Sequence, residues 1–450
     1  MKQPHNTPVA NEQSAVPFKQ ALKFWLKLGW ISFGGPAGQI ALMHEELVQK
    51  QKWISEKRFL HALNYCMLLP GPEAQQLATY MGWLMHRSLG GIIAGLLFIL
   101  PSLFIIILLA WAYLQYGDVP LVAGLFYGIK PAVTAIVFHA TYRIAQRTLK
   151  SIALWMIALL AFVALFVFQL PFPLIIFSAG CLGYFLGQYA PTCLDSAHTA
   201  GTSSSDEDMQ TLINDSNPAP AHTQFKWHRF IIILVSAALL WMVPVLGLSL
   251  SLGWEHSYTQ MAWFFTKAAL LTFGGAYAVL PYVFQGAVHQ YGWLSASQMM
   301  DGLALGESTP GPLIMIVAYV GFLGGYTQAL LGGEQLFLAG VIGACIATWF
   351  TFLFSFVFIL VGAPIIETTQ QHIRLHAPLT AITAAVVGVI LNLGLFFAYH
   401  VLWPQGFAQQ LDGVALLLTG LAATLLFYFK LSVIRVIVMT ALLGLPAYFI

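Results

Sequence analysis

The sequence predicts an all-α polytopic membrane protein built from two homologous helical halves, and three observations carry that prediction. The first is composition: of 450 residues, 59% are hydrophobic and only 8% charged, where a soluble domain carries about 25% charged residues. Mean hydropathy is +0.77. The second is a repeat. Phe33-Gly34-Gly35, Trp53 and Pro70-Gly71-Pro72 return as Phe273-Gly274-Gly275, Trp293 and Pro310-Gly311-Pro312. A shift of about 240 residues aligns the copies without a gap, with about a dozen identities in about fifty positions. The third is where the apolar segments break. Gly-Gly and Pro-Gly-Pro leave backbone groups without helical partners at mid-membrane, which is tolerated only where the backbone lines a cavity or packs on protein. Paired interruptions at matching places in two halves point to a transporter's binding site.

The same composition excludes several classes. A formal net charge of +2 is too small for nucleic-acid binding. Cys66, Cys181, Cys193 and Cys345 form no Cys-x-x-Cys and have no clustered His, so they read as apolar packing residues, with no metal and no cofactor implied. No Gly-x-x-x-x-Gly-Lys-Ser/Thr loop occurs, which argues against an ATP-driven pump. No nucleophile stands beside a base, so an enzyme is not expected. The first sixteen residues are polar and resemble no removable signal peptide.

In order, residues 1–16 form a tail and 17–190 the first half. A helix to Phe33 carries Lys19, Lys23 and Lys27 on or near one face. After Gly34-Gly35, Pro36 suits the first turn of a new helix, which runs to about Lys50. A helix over 59–69 meets Pro70-Gly71-Pro72 and resumes at Glu73. Each of its arms is short of the about 20 residues that cross a bilayer core, so the pair is either a re-entrant hairpin or a pair of tilted helices. About four fuller spans follow, over 88–115, 119–142, 149–168 and 173–189. Residues 191–228 are a polar linker, and 229–253 an extra connecting span. The second half, 254–450, repeats two broken pairs and about four full spans: 336–361, 377–402, 411–429 and 431–450.

Charge sets an expected orientation. Lys and Arg cluster at the N-terminus, at 50–58, at Arg87 and at Arg143, Arg147 and Lys150, marking a cytoplasmic side. In the second half the matching loops, 274–298 and 324–335, have no Lys or Arg, whereas Arg374 and Lys430 follow alternate spans. The halves therefore read as an inverted-topology repeat, with the N-terminus and linker cytoplasmic and the C-terminus periplasmic.

The chemistry falls on the repeat. Lys27 and Lys267 lie in register inside apolar segments. A cation near mid-membrane costs at least about 2.5–3.5 kcal/mol, so a substrate role is the default, with snorkelling to the interface as the alternative. Gly34-Gly35 and Gly274-Gly275 precede helix starts whose unpaired N–H groups make an anion site; close helix packing is the alternative. Pro70-Gly71-Pro72 precedes Glu73, Gln75 and Gln76; Pro310-Gly311-Pro312 follows Glu307, Ser308 and Thr309. Glu73 and Glu307 are candidates for proton coupling, or else helix-cap carboxylates. Lys130, before Pro131, and Asn392 are further polar residues in apolar spans, and Trp53 and Trp293 read as interfacial anchors. Lysines and helix N-termini together suit a small oxyanion.

With these motifs the chain resembles the chromate ion transporter family in its long two-domain form. The resemblance rests on Phe33-Gly34-Gly35-Pro36 with Gln39, on Trp53 through Pro70-Gly71-Pro72-Glu73 with Gln75 and Gln76, and on Gly128-Ile129-Lys130-Pro131. In the second half it rests on Thr272-Phe273-Gly274-Gly275, Pro310-Gly311-Pro312 and 380–392. It implies a secondary transporter exporting chromate across a bacterial inner membrane, conferring chromate resistance and coupled to the membrane potential or proton gradient. Sulfate, a close isostere, is then a competitor or cargo. The partners are the oxyanion and the lipid bilayer, with a homodimer as a candidate assembly. A sulfate permease and an anion channel are the alternatives. Ala276 replaces Pro36 and Leu313 replaces Glu73 in the second copy, so the two sites are not equivalent.

Overall fold

The computed structural model describes residues 16–33, 35–189, 223–369, 376–406 and 410–449. Gly34, the tail to residue 15, most of the polar linker, Arg374 and Ile450 lie outside them. The described chain is helical throughout, and the breaks fall where the glycines and prolines require.

The first half contains α1 (Phe18–Ile31), α2 (Gly35–His44), α3 (Glu56–Leu68) and α4 (Glu73–Tyr116), followed by α5 (Pro120–Thr148), α6 (Ile152–Phe166) and α7 (Phe172–Tyr189). The connecting helix α8 (Trp227–Leu252) buries only Val245, as expected of a helix whose faces meet lipid. The second half repeats the order with α9 (Ser257–Leu271), α10 (Ala276–Phe284), α11 (Ala296–Ser308) and α12 (Ile316–Thr327), then α13 (Leu336–Thr369), α14 (His376–Leu402), α15 (Gly413–Phe427) and α16 (Val433–Tyr448).

Local details repeat too. α2 and α10 each end in a π turn, Glu45–Lys50 and Gln285–Gln290. Ser55 caps α3 by accepting from the Arg58 amide, and its counterpart Ser295 caps α11 in a reciprocal capping box with Gln298. α4 joins two expected segments: the backbone leaves helical geometry at His86 and Arg87, where Arg87 takes φ +56°.

The halves are interleaved. α5 of the first half packs on α15 and α16 of the second, while α14 of the second packs on α6 and α7 of the first. α1 lies along α4, and α9 lies along α13 in the same manner. The α5–α16 contact is close because Gly128 and Gly444 face each other; a Cβ on Gly128 would come 2.1 Å from the Thr440 carbonyl. Small residues of this kind let membrane helices approach.

Two expectations need correction. α6, α15 and α16 have 15, 15 and 16 residues, fewer than the about 20 a full span needs; α4, α5, α7, α8, α13 and α14 are long and apolar enough to cross. Trp53 and Trp293 are packed inside the protein rather than presented on its surface as anchors: they are 4% and 1% exposed. The π turns fold the chain inward there, with the Trp53 and Trp293 amides donating to the Leu47 and Ala287 carbonyls, and Trp293 stacks on Tyr291 and Phe265.

Candidate functional site

Each half's Pro-Gly-Pro break is joined to the other half's first break. The Gly71 amide donates to the Thr272 carbonyl at 2.7 Å, and the Gly311 amide donates to the Ser32 carbonyl at 2.8 Å. Under the repeat shift these are one bond made twice. Ser32 and Thr272 end α1 and α9, and each hydroxyl returns to the carbonyl four residues back, Leu28 at 2.5 Å and Ala268 at 2.6 Å. Gly71 and Gly311 have φ of +131° and +103°, which favours glycine. A Cβ on Gly71 would lie 2.5 Å from Gln76 Nε2 and 2.7 Å from Ser355 Oγ; on Gly311 it would lie 2.6 Å from Ser102 Cβ. The sequence reading leaves these break amides open to an anion. In the structure the Gly71 and Gly311 donors are consumed by the seam, because an unpaired buried amide is costly in a low-dielectric interior.

Polar side chains enter this seam from the first half. Gln39 Nε2 donates to the Gly311 carbonyl at 2.5 Å and to the Ser32 carbonyl at 3.1 Å. Gln76 Nε2 donates to the Pro70 carbonyl at 2.8 Å, and Gln75 Nε2 donates to Thr79 Oγ1 at 3.0 Å. The Oε1 atoms of all three glutamines and the Ser102 hydroxyl are buried without a hydrogen-bond partner. The seam therefore holds polar capacity beyond what its own bonds use.

Charge gathers beside the second half's first break. Gly274 and Gly275 have φ of +81° and +94°, and α10 starts at Ala276. A Cβ on Gly275 would sit 3.6 Å from Glu73 Oε1. The Glu73 carboxylate, from the start of α4 after Pro72, thus stands beside the N-terminus of α10, where unpaired N–H groups and the helix dipole favour an anion. Tyr277, in the first turn of α10, donates its hydroxyl to Glu307 at the end of α11. From α5, Arg147 acts electrostatically on Glu73, and Arg143 on Glu307 and Tyr277. Both arginines are exposed. Two carboxylates, a phenol and a helix N-terminus thus meet beside this break, with the exposed Arg143 and Arg147 of α5 within electrostatic range of them. The Ser308 and Thr309 hydroxyls turn back to the Leu305 and Gly306 carbonyls, at 3.0 and 3.1 Å.

The remaining expected residues are dispersed. Gly35 opens α2 at φ +70° with open space where a Cβ would stand. Lys27 is on the exposed side of α1 with Lys19 and Lys23, opposite buried Ala21, Trp25 and Leu28. The buried face of α1 is apolar, so the Lys27 ammonium lies on the exposed side, where either a cavity or the interface can receive it. Lys267 is half-buried. Lys130 stands elsewhere on α5, donating to Ser297 Oγ at 2.6 Å. Sequence reasoning used Arg143 and Arg147 only as side markers, although their four-residue spacing on one helix face was a legible signal. Tyr277, Ser102 and Ser355 carried no sequence signal, since only the fold brings them to the breaks.

Comparison with known proteins matches these positions. A sequence model of the family described as chromate transporter matches residues 19–184 and 259–445, leaving out the tail and the linker. A chromate transport protein of Pseudomonas aeruginosa is 32% identical over 97% of this chain and 98% of its own length. One from Cupriavidus metallidurans is 28% identical over 99% of this chain and 98% of its own. A probable chromate transport protein of Synechococcus elongatus is 30% identical over 84% of this chain and 83% of its own. No solved structure matches.

Proposed function

This chain belongs to the chromate transporter family, and from that premise we infer a secondary transporter that exports chromate across a bacterial inner membrane and so confers resistance. The substrate is a compact oxyanion dianion, and the protein acts as a carrier, not as an enzyme. The observation that carries the reading is the Glu73 carboxylate beside the N-terminus of α10. The carboxylate holds a place suited to an anion. A dianion takes that place as Glu73 is protonated or swings aside, and the first-turn N–H groups, Tyr277 and the two arginines receive its oxygens. Glu73 and Glu307 then tie anion movement to protons, and the membrane potential favours outward movement of negative charge.

The reciprocal Gly71–Thr272 and Gly311–Ser32 bonds support alternation over an open pore, because the seam closes the breaks and lets one half rock against the other. The exchanged packing of α5 and α14 supports an inverted pair of halves, with Arg143 and Arg147 on the cytoplasmic side and the C-terminus periplasmic. Labelled chromate accumulation in inverted membrane vesicles tests the function. Saturable uptake that excess sulfate reduces is the expected result. Flux that rises linearly with concentration and ignores sulfate would replace the carrier with a channel.

A further inference from the structure

At the other end of α5, roughly 20 Å from Arg143 by helical rise, lies a second ionic cluster. A cavity of about 370 Å³ is lined by Tyr113, Asp118, Tyr127, Lys130, Ser297 and Asp301, among others. Pro131, inside α5, removes the helical donor to the Tyr127 carbonyl beside the cavity. Asp301, on α11, has a side chain only 3% exposed and lies 3.7 Å from Lys130 Nζ. That distance is too long for a hydrogen bond; the ammonium donates to Ser297 instead, at 2.6 Å. Tyr113 donates to Asp301 Oδ2 at 2.9 Å. Asp301 Oδ1 is buried with no partner.

A buried carboxylate with a free oxygen and an imperfect counter-ion is incompletely compensated. A partner that suits this oxygen is small and positive. The acidic rim residue Asp118 repels a dianion and attracts a proton, so the cavity suits proton access better than oxyanion access. We propose that Asp301 is a proton-binding site, reached through this cavity, whose protonation releases Lys130 and so unlatches α5 from α11. The step is a proton transfer from water in the cavity to Oδ1: carboxylate becomes carboxylic acid, and Lys130 stays an ammonium. Other elements packed on α11 bring Tyr113 from α4, Tyr319 from α12 and Tyr448 from α16; Tyr127 on α5 is held by Asp412. Among the described residues, Lys130 is the cation acting on Asp301.

The latch has a route to the transport site. α11 carries Asp301 and then Glu307, about 9 Å further on, and runs into the Gly311 seam. α5 carries Lys130 and then Arg143 and Arg147. A proton at one end of this helix pair therefore biases the charged groups at the other, the two-state element that coupling requires. The proposal rests on the carrier reading for its consequence, but not for the proton site.

Infrared difference spectra of the purified full-length protein, titrated with acid, test the site directly. Of the carboxylic-acid C=O bands that grow on acidification in wild type, one should be missing in Asp301→Asn. In Lys130→Gln, which removes the counter-ion, it should persist to more alkaline pH. In proteoliposomes, an imposed pH gradient should stimulate wild-type chromate flux several-fold, while Asp301→Asn keeps potential-driven flux and loses that stimulation. A wild-type band that Lys130→Gln leaves unmoved, or full pH-gradient stimulation in Asp301→Asn, overturns the proposal. Absence of chromate flux under every gradient overturns the carrier reading instead, and leaves the infrared result to decide the proton site.

Discussion

Laid over each other by the repeat shift, the two crossings share their backbone and differ in their side chains. Gly71 pairs with Thr272 as Gly311 pairs with Ser32, and the π turns and serine caps coincide. Yet Gln39, Glu73, Gln75 and Gln76 correspond to Val279, Leu313, Met315 and Ile316, while Glu307 and Tyr277 correspond to Met67 and Ala37. The common part is what any broken membrane helix needs to satisfy its backbone. The unshared part is the chemistry: the glutamines line the seams, and Glu73, Tyr277 and Glu307 gather at the start of α10. A duplicated scaffold has kept its geometry and concentrated its charge on one of two equivalent positions.

The comparison breaks first at its shared element. Gly71→Ala and Gly311→Ala should be equally damaging, because each forces a Cβ to within 2.7 Å of seam atoms at a backbone angle costing about 1–3 kcal/mol. Transport below about a tenth of wild type is expected, with loss of monodisperse protein on size-exclusion chromatography. Survival of one variant but not the other would show that only one seam matters. The unshared element comes next. Glu73→Gln should lower chromate flux about 10- to 100-fold, or roughly 1.4–2.8 kcal/mol, while Leu313→Met, at the equivalent position, should stay within about twofold. Flux kinetics in vesicles separate the two. Arg147→Gln should raise the KM for chromate about tenfold with little change in maximal rate, the signature of lost ground-state binding; Arg147→Lys should recover part of it. Gln39→Leu strips a donor from the buried Gly311 carbonyl and should cost about 1–3 kcal/mol in stability, read as a lower melting temperature. Lys27→Ala should be smallest, within about twofold of wild-type flux, because an exposed lysine on α1 contributes little.

Much of this was legible in the residues. The halves, the breaks, the connecting helix and the residue types at the breaks all follow from composition and from one repeat. The cross-half exchange did not, since Gly71 and Thr272 are about 200 residues apart and no local pattern links them. Lys27 shows how spacing and register carry different information. Its four-residue spacing with Lys19 and Lys23, against Ala21, Trp25 and Leu28, already describes a polar face turned away from an apolar one. Register with Lys267 fixes only backbone position and leaves the side chain's surroundings open. Arg143 and Arg147 are the opposite case: at a helix end, charge ordinarily marks topology, and only the fold brings α5 near α10 and Glu73.

Anomalous diffraction at the chromium absorption edge, from crystals grown with chromate, tests the central claim most directly. The account predicts a peak between the first turn of α10 and Arg147, with the Glu73 carboxylate withdrawn from Gly275. A peak beside Lys27, or bound chromate with Glu73 unmoved at the start of α10, would contradict it.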